Sequence, residues 1–192
     1  SGGSLENRLR FSMESLENIR SLVGRNFIVG ARVSGEDRPG GDLSHADLLE
    51  IICRLDQTGW LDYFTVTGGT ISTYRSRAWN IPSAYYEDGT FVELAGRIKA
   101  AVNTPIIVTG RIVTPEHAEE VLKSGAADLV GMTRALIADP DLPSKAGSGR
   151  SSLACADHAA ARRSSAADRS AKSGPRHRAP SAAPPVGGKI TA

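Results

Sequence analysis

Four short apolar runs alternate with stretches of helical spacing between residue 4 and about residue 146, and this alternation constrains the fold most. The runs are Phe27 to Val33, Asp62 to Thr67, Ile106 to Arg111, and Ala126 through Val130 into Gly131. Runs that are apolar nearly throughout, rather than at every second residue, predict strands of a parallel sheet covered by helices. The stretches between them carry helix signals. Ser4 can cap a helix in which Leu5, Leu9, Phe11, Met13, Leu16, Ile19 and Leu22 recur near helical spacing, with Gly24 as its stop. Ser44 and Asp47 resemble a capping pair ahead of Leu48, Leu49, Ile51, Ile52 and Leu55, and Gly59 follows. Phe91, Leu94, Ala95, Ile98 and Val102 mark a third helix, and Pro105 introduces the next strand. Thr114-Pro115-Glu116 opens a fourth helix that Gly125 closes, and a short helix through Ile137 ends the pattern.

A leading helix followed by four strand-helix units of roughly 30 to 35 residues each fits an α/β fold, either of the (β/α)8 TIM-barrel family or a doubly wound sheet. A closed barrel needs eight strands and typically ~250 residues, so four units make a partial barrel. Its expected extent is residues 1–146. Residues 147–192 are rich in Ala, Ser, Arg, Pro and Gly, and predict a disordered basic tail. Such a composition also arises from out-of-frame translation of a GC-rich message.

The last two units each end in Gly and Arg, in Gly110-Arg111 and in Gly131-Met132-Thr133-Arg134. Small residues let a backbone approach an anion, helix N-termini supply free N–H groups, and a guanidinium clamps two oxygens. In a barrel of this type the loops after the last two strands commonly form a phosphate site. The spacing therefore predicts a site for a phosphorylated cofactor.

Charge and cysteine usage narrow the remaining classes. The net charge of +2 divides unequally: residues 148–192 hold eight Lys/Arg and two Asp/Glu, which leaves residues 1–147 at −4. A mildly acidic folded part gives no reason to expect a nucleic-acid partner. Cys53 and Cys155 make neither a disulfide framework nor a four-thiolate cluster. No signal peptide or membrane-spanning apolar run is evident, so the expected setting is cytoplasmic with no membrane partner.

Several motifs together resemble the Old Yellow Enzyme superfamily of FMN-dependent oxidoreductases, in the subgroup of trimethylamine dehydrogenase and 2,4-dienoyl-CoA reductase. They are Gly2 to Phe11, Val29-Gly30-Ala31-Arg32-Val33-Ser34, Val108-Thr109-Gly110-Arg111-Ile112, and Asp128 through Pro140. The resemblance covers residues 1 to about 146 and implies the second half of the family's barrel. It implies FMN as cofactor, NADH or NADPH as electron donor in an intact relative, and a small-molecule substrate that the motifs leave unidentified. Arg32 matches the arginine beside the flavin's pyrimidine edge. Gly110, Arg111, Gly131, Thr133 and Arg134 match the phosphate contacts, with Thr133 standing where many relatives have Gly. The substrate-binding His pair and the proton-donating Tyr belong to the family's upstream half, so no catalytic residue is assigned to this chain. Three readings follow. The chain is a fragment of a flavoenzyme carrying its phosphate site; or a non-catalytic half-barrel that self-associates or pairs with an N-terminal half; or a truncated product without independent function.

Other residues carry plainer expectations. His45 and His117 lie in first helical turns, and Cys53 is expected in core packing. Tyr85, Tyr86 and Trp79 sit in the long loop after the second strand, either facing a ligand or packing locally. Glu36, Asp37 and Arg38 read as a solvated loop, and Glu6 and Arg8 as supports of the first helix.

Overall fold

The apolar runs become four strands of one parallel sheet in the order β1-β2-β3-β4. The computed structural model describes residues 3–36, 44–71 and 73–149. The strands are β1 (Gly30–Ser34), β2 (Tyr63–Thr67), β3 (Ile106–Val108) and β4 (Leu129–Val130). The helices are α1 (Leu5–Val23), α2 (His45–Gln57), α3 (Tyr74–Asn80), α4 (Val92–Lys99), α5 (Pro115–Lys123), α6 (Thr133–Ala138) and α7 (Leu142–Gly147). The start signals act as expected. Ser4 Oγ accepts from the Asn7 amide, Ser44 and Asp47 form a reciprocal capping box, and Thr114 Oγ1 caps α5.

Side chains alternate across a strand, so the register sorts the sheet into two faces. Ala31, Phe64 and Ile106 form one row, and Val33, Val66, Val108 and Val130 the next. Phe64, Val66, Ile106 and Val108 are wholly buried, in a core shared with Ile52 and Leu55 of α2, Leu94, Ala95 and Ile98 of α4, and Val121 of α5. The alternate row is Arg32, Thr65, Ile107 and Leu129. It is open: Arg32 is exposed, Thr65 and Ile107 are half-buried, and Leu129 is 50% exposed. Near-continuous apolar runs predict burial on both faces, but only the helix-covered face is filled. In a closed barrel the inward row is filled by layers of side chains from strands around the ring, and four strands leave those layers incomplete.

Three departures have local causes. Phe27 and Ile28 precede β1 instead of forming it, and both are exposed. α1 buries Leu9 and Arg20, while Phe11 and Leu22, expected on its apolar face, are 76% and 85% exposed. The expected long loop after β2 contains α3, and α7 carries the helical pattern to residue 147, with Leu142 buried. Most of the expected tail, residues 150–192 with Cys155, lies outside the described residues.

Arg20 explains part of this. From α1 it donates Nε to the Trp60 carbonyl at 2.8 Å and Nη1 to the carbonyls of Gly24 and Phe27 at 3.0 and 2.8 Å. Its Nη2 pairs with Asp62 at 2.8 Å and also reaches the Trp60 carbonyl. Asp62 Oδ2 in turn accepts from the Val29 amide at 2.7 Å, which sets the start of β1 one residue later. Asp128 repeats the device: it accepts from the Ile106 amide at 2.9 Å and pairs with Lys99 at 2.6 Å.

Candidate functional site

The strands' C-terminal ends turn sharply, and the residues that permit the turns are small. Gly110 follows β3 at φ +105, and a Cβ there would fall 2.4 Å from Phe91 Cδ2. Gly131 follows β4, and a Cβ there would fall 2.7 Å from Thr109 Cγ2. Phe91 is itself fixed edge-on to Trp79, with ring centroids 5.3 Å apart. Neither glycine can be replaced without moving a neighbour.

A cavity of about 240 Å³ opens at these turns. All six residues expected at a flavin site line it: Arg32, Gly110, Arg111, Gly131, Thr133 and Arg134. Asn80, Pro82 and Phe91, from the connection between β2 and α4, are also part of the wall.

The three arginines are held differently. Arg111 is the non-glycine residue at positive φ (59°) among the described residues, and its side chain is 3% exposed. Its Nη2 meets Asp88 Oδ1 at 2.8 Å and its carbonyl accepts from the Gly89 amide at 3.1 Å, while its buried Nε–H meets no acceptor among the described residues. An orphaned buried donor is costly unless a ligand or water satisfies it. Arg134 is exposed and donates Nη2 to the Pro82 carbonyl at 2.8 Å. Arg32 projects from the open row and has no ion pair among the described residues. Glycine roles differ too: the Gly131 amide is used by the Val108 carbonyl at 2.8 Å, so this residue contributes close packing against Thr109 rather than a donor. Thr133 and Arg134 open α6, whose first turn has no side-chain cap. Free donors, cationic arms and close backbone together suit an oxyanion.

Asp88, Asn80 and Pro82 were not legible as site residues. Asp88-Gly89 reads as a turn in sequence, and nothing local announces that its carboxylate reaches Arg111. The aromatic and histidine expectations separate. Trp79 packs in the core, Tyr85 is exposed, and neither lines the cavity. His45 Nδ1 lies 2.7 Å from the Gly35 carbonyl, which is a structural contact. His117 packs beside Gly89. Cys53 is half-buried on α2 rather than in the closed core. Glu36 is tied by its carbonyl to the Gly69 amide at 2.8 Å, and Asp37 and Arg38 lie outside the described residues. Among the described residues no cluster of three metal-ligating side chains occurs, and no helix is long and apolar enough to cross a membrane.

A parallel strand-helix array with a cationic, glycine-walled cavity at its C-terminal strand ends is part of a (β/α)8 barrel. The profile of the NADH:flavin oxidoreductase / NADH oxidase family matches residues 1–152, and the chain belongs to this FMN-dependent family. It is 42% identical over 144 residues to the N,N-dimethylglycine/sarcosine dehydrogenase of Chromohalobacter salexigens, covering 75% of this chain and 21% of that protein. It is 36% identical over 149 residues to the NADH oxidase of Thermoanaerobacter brockii, covering 78% of this chain and 22% of that one. The structure of a 2-naphthoyl-CoA reductase complex superposes with a TM-score of 0.70 at 33% identity, over 78% of this chain and 22% of that chain. The chain thus spans about a fifth of the length of these relatives.

Proposed function

We propose that this chain is the phosphate-binding side of an FMN-dependent oxidoreductase, with the remaining catalytic set supplied by residues outside the given sequence. The observation that supports this most is the meeting of Arg32, Gly110, Arg111, Gly131, Thr133 and Arg134 around one cavity. The residues present fit the cofactor. Arg111 keeps a buried donor that meets no acceptor among the described residues, and Gly131 sits so close to Thr109 that a Cβ would not fit. In this reading Arg111 and Arg134 hold the phosphate with the backbone at Gly110 and Thr133, beside Gly131. Arg32 lies by the pyrimidine edge, where positive charge stabilises electron density on the reduced ring. When bound, FMN supplies hydride acceptance and onward electron transfer, with NADH or NADPH the donor in the intact protein. The open row of Arg32, Thr65, Ile107 and Leu129 supports a partner half-barrel, from a second copy or from preceding strands.

The test is titration of the chain with FMN, followed by quenching of flavin fluorescence, beside Arg134→Ala. Saturable binding that the substitution weakens by about tenfold, or ~1.4 kcal/mol, is expected. A folded chain that binds no FMN would sink the reading.

A further inference from the structure

Resting on the flavin reading above, we propose that Asp88 is a positioning residue for the phosphate: it grips one arm of Arg111 and leaves the buried Nε–H for the anion. Asp88 belongs to neither Gly-Arg motif; it comes from the connection between β2 and α4. That connection nevertheless fixes Arg111 at two points. Asp88 Oδ1 accepts from Nη2 at 2.8 Å, and the next residue, Gly89, donates its amide to the Arg111 carbonyl at 3.1 Å. The dipeptide is itself anchored. Gly89 stands at φ +71, and a Cβ there would come within 2.9 Å of His117 Nε2 in the first turn of α5.

The chemistry of the grip matters as much as its position. A guanidinium presents its donors in a rigid fork, so fixing one nitrogen orients the others. A two-armed carboxylate grip that took Nε as well would leave no buried donor; here the carboxylate takes Nη2, and Nε–H has no acceptor among the described residues. With a side chain 3% exposed, solvent cannot hold the guanidinium in place, and its charge needs a partner before any anion arrives. Asp88, 28% exposed, supplies that counter-charge from the rim. The anion then meets a pre-aimed donor instead of a mobile cation, which lowers the ordering cost of binding.

The experiment uses the full chain and two flavins, FMN and riboflavin, which share a ring but differ in the phosphate. Fluorescence titration gives a preference for FMN over riboflavin in the wild-type chain. Asp88→Ala should reduce that preference by about tenfold and change riboflavin binding by less than about twofold. Asp88→Asn keeps an acceptor oxygen in place but removes the counter-charge, and should retain part of the preference. Asp88→Glu keeps the charge but displaces the acceptor by one methylene. It should lose part of the preference, and it decides the matter if the alanine variant does not fold. An unchanged preference in the alanine and glutamate variants overturns the positioning role. So does equal weakening of both flavins, which marks mere structural support, and so does tighter FMN binding, which marks Asp88 as a competitor. A wild-type chain that binds neither flavin, or both alike, overturns the flavin-phosphate reading and the positioning role together. Normal wild-type preference with indifferent variants overturns only the latter.

Discussion

The two ends of the sheet are built on opposite principles. At the N-terminal end, carboxylates close every circuit they enter. Asp62 joins the Val29 amide to Arg20, and Asp128 joins the Ile106 amide to Lys99. At the C-terminal end, cations stand with donors to spare: among the described residues Arg32 is unpaired and the buried Arg111 Nε–H meets no acceptor. Satisfied polar groups at one end stabilise the strand starts, and in the proposed flavin site the unsatisfied ones at the other are left for the phosphate. A barrel thus separates what holds it together from what it does.

Breaking the closed end should give the largest effect. Arg20→Met removes the donors of three backbone carbonyls and the partner of Asp62. Because Asp62 is partly solvated, the loss should sit at the low end for a broken buried pair, about 3 kcal/mol in urea unfolding. The preference for FMN over riboflavin should survive in the folded fraction; a change below ~1 kcal/mol would mean that the network is redundant.

The open end should respond in the opposite sense. Arg111→Met strands the partly exposed Asp88 but also removes the orphaned Nε–H, so unfolding stability should change by less than ~1 kcal/mol while FMN affinity falls by about tenfold or more. A variant that loses stability and keeps FMN would reverse the comparison.

The smallest effect concerns pH. The Val29 amide, first, and then the Arg20 side chain hold the Asp62 carboxyl below its usual range. The Ile106 amide, followed by Lys99, does the same for Asp128. A depressed folded value means that the charged form is favoured by folding. That contribution is present above the unfolded value near ~3.9 and is lost as pH falls through the lower folded value. Asp62→Asn and Asp128→Asn should therefore be less stable than wild type at neutral pH and converge with it in strong acid. Thermal melts at both pH values check this, and a pH-independent difference would assign the effect to packing.

Much of this architecture could be read along the chain because its determinants are local. Ser4, Ser44 and Thr114 cap helices through hydrogen bonds within three residues, and the apolar runs of β2 and β3 name their own strands. The Gly-Arg spacing after β3 and β4 put its residues beside one cavity because parallel strands align their C-terminal ends. Periodicity found α1 but not the face it buries, since Phe11 and Leu22 are exposed while Arg20 is buried. The face a helix buries depends on what lies across from it, and Arg20 finds the Trp60 carbonyl forty residues away.

Helix caps, strand order and the arginines near the cavity were therefore matters of local chemistry and regular parallel topology. The fate of each arginine was not. Arg20, Arg32 and Arg111 are chemically the same side chain, yet one is sealed among carbonyls, one is open, and one is held by a single arm. Charge and spacing do not encode that difference; it arises from the acceptors that folding brings within about 3 Å, the reach of a hydrogen bond.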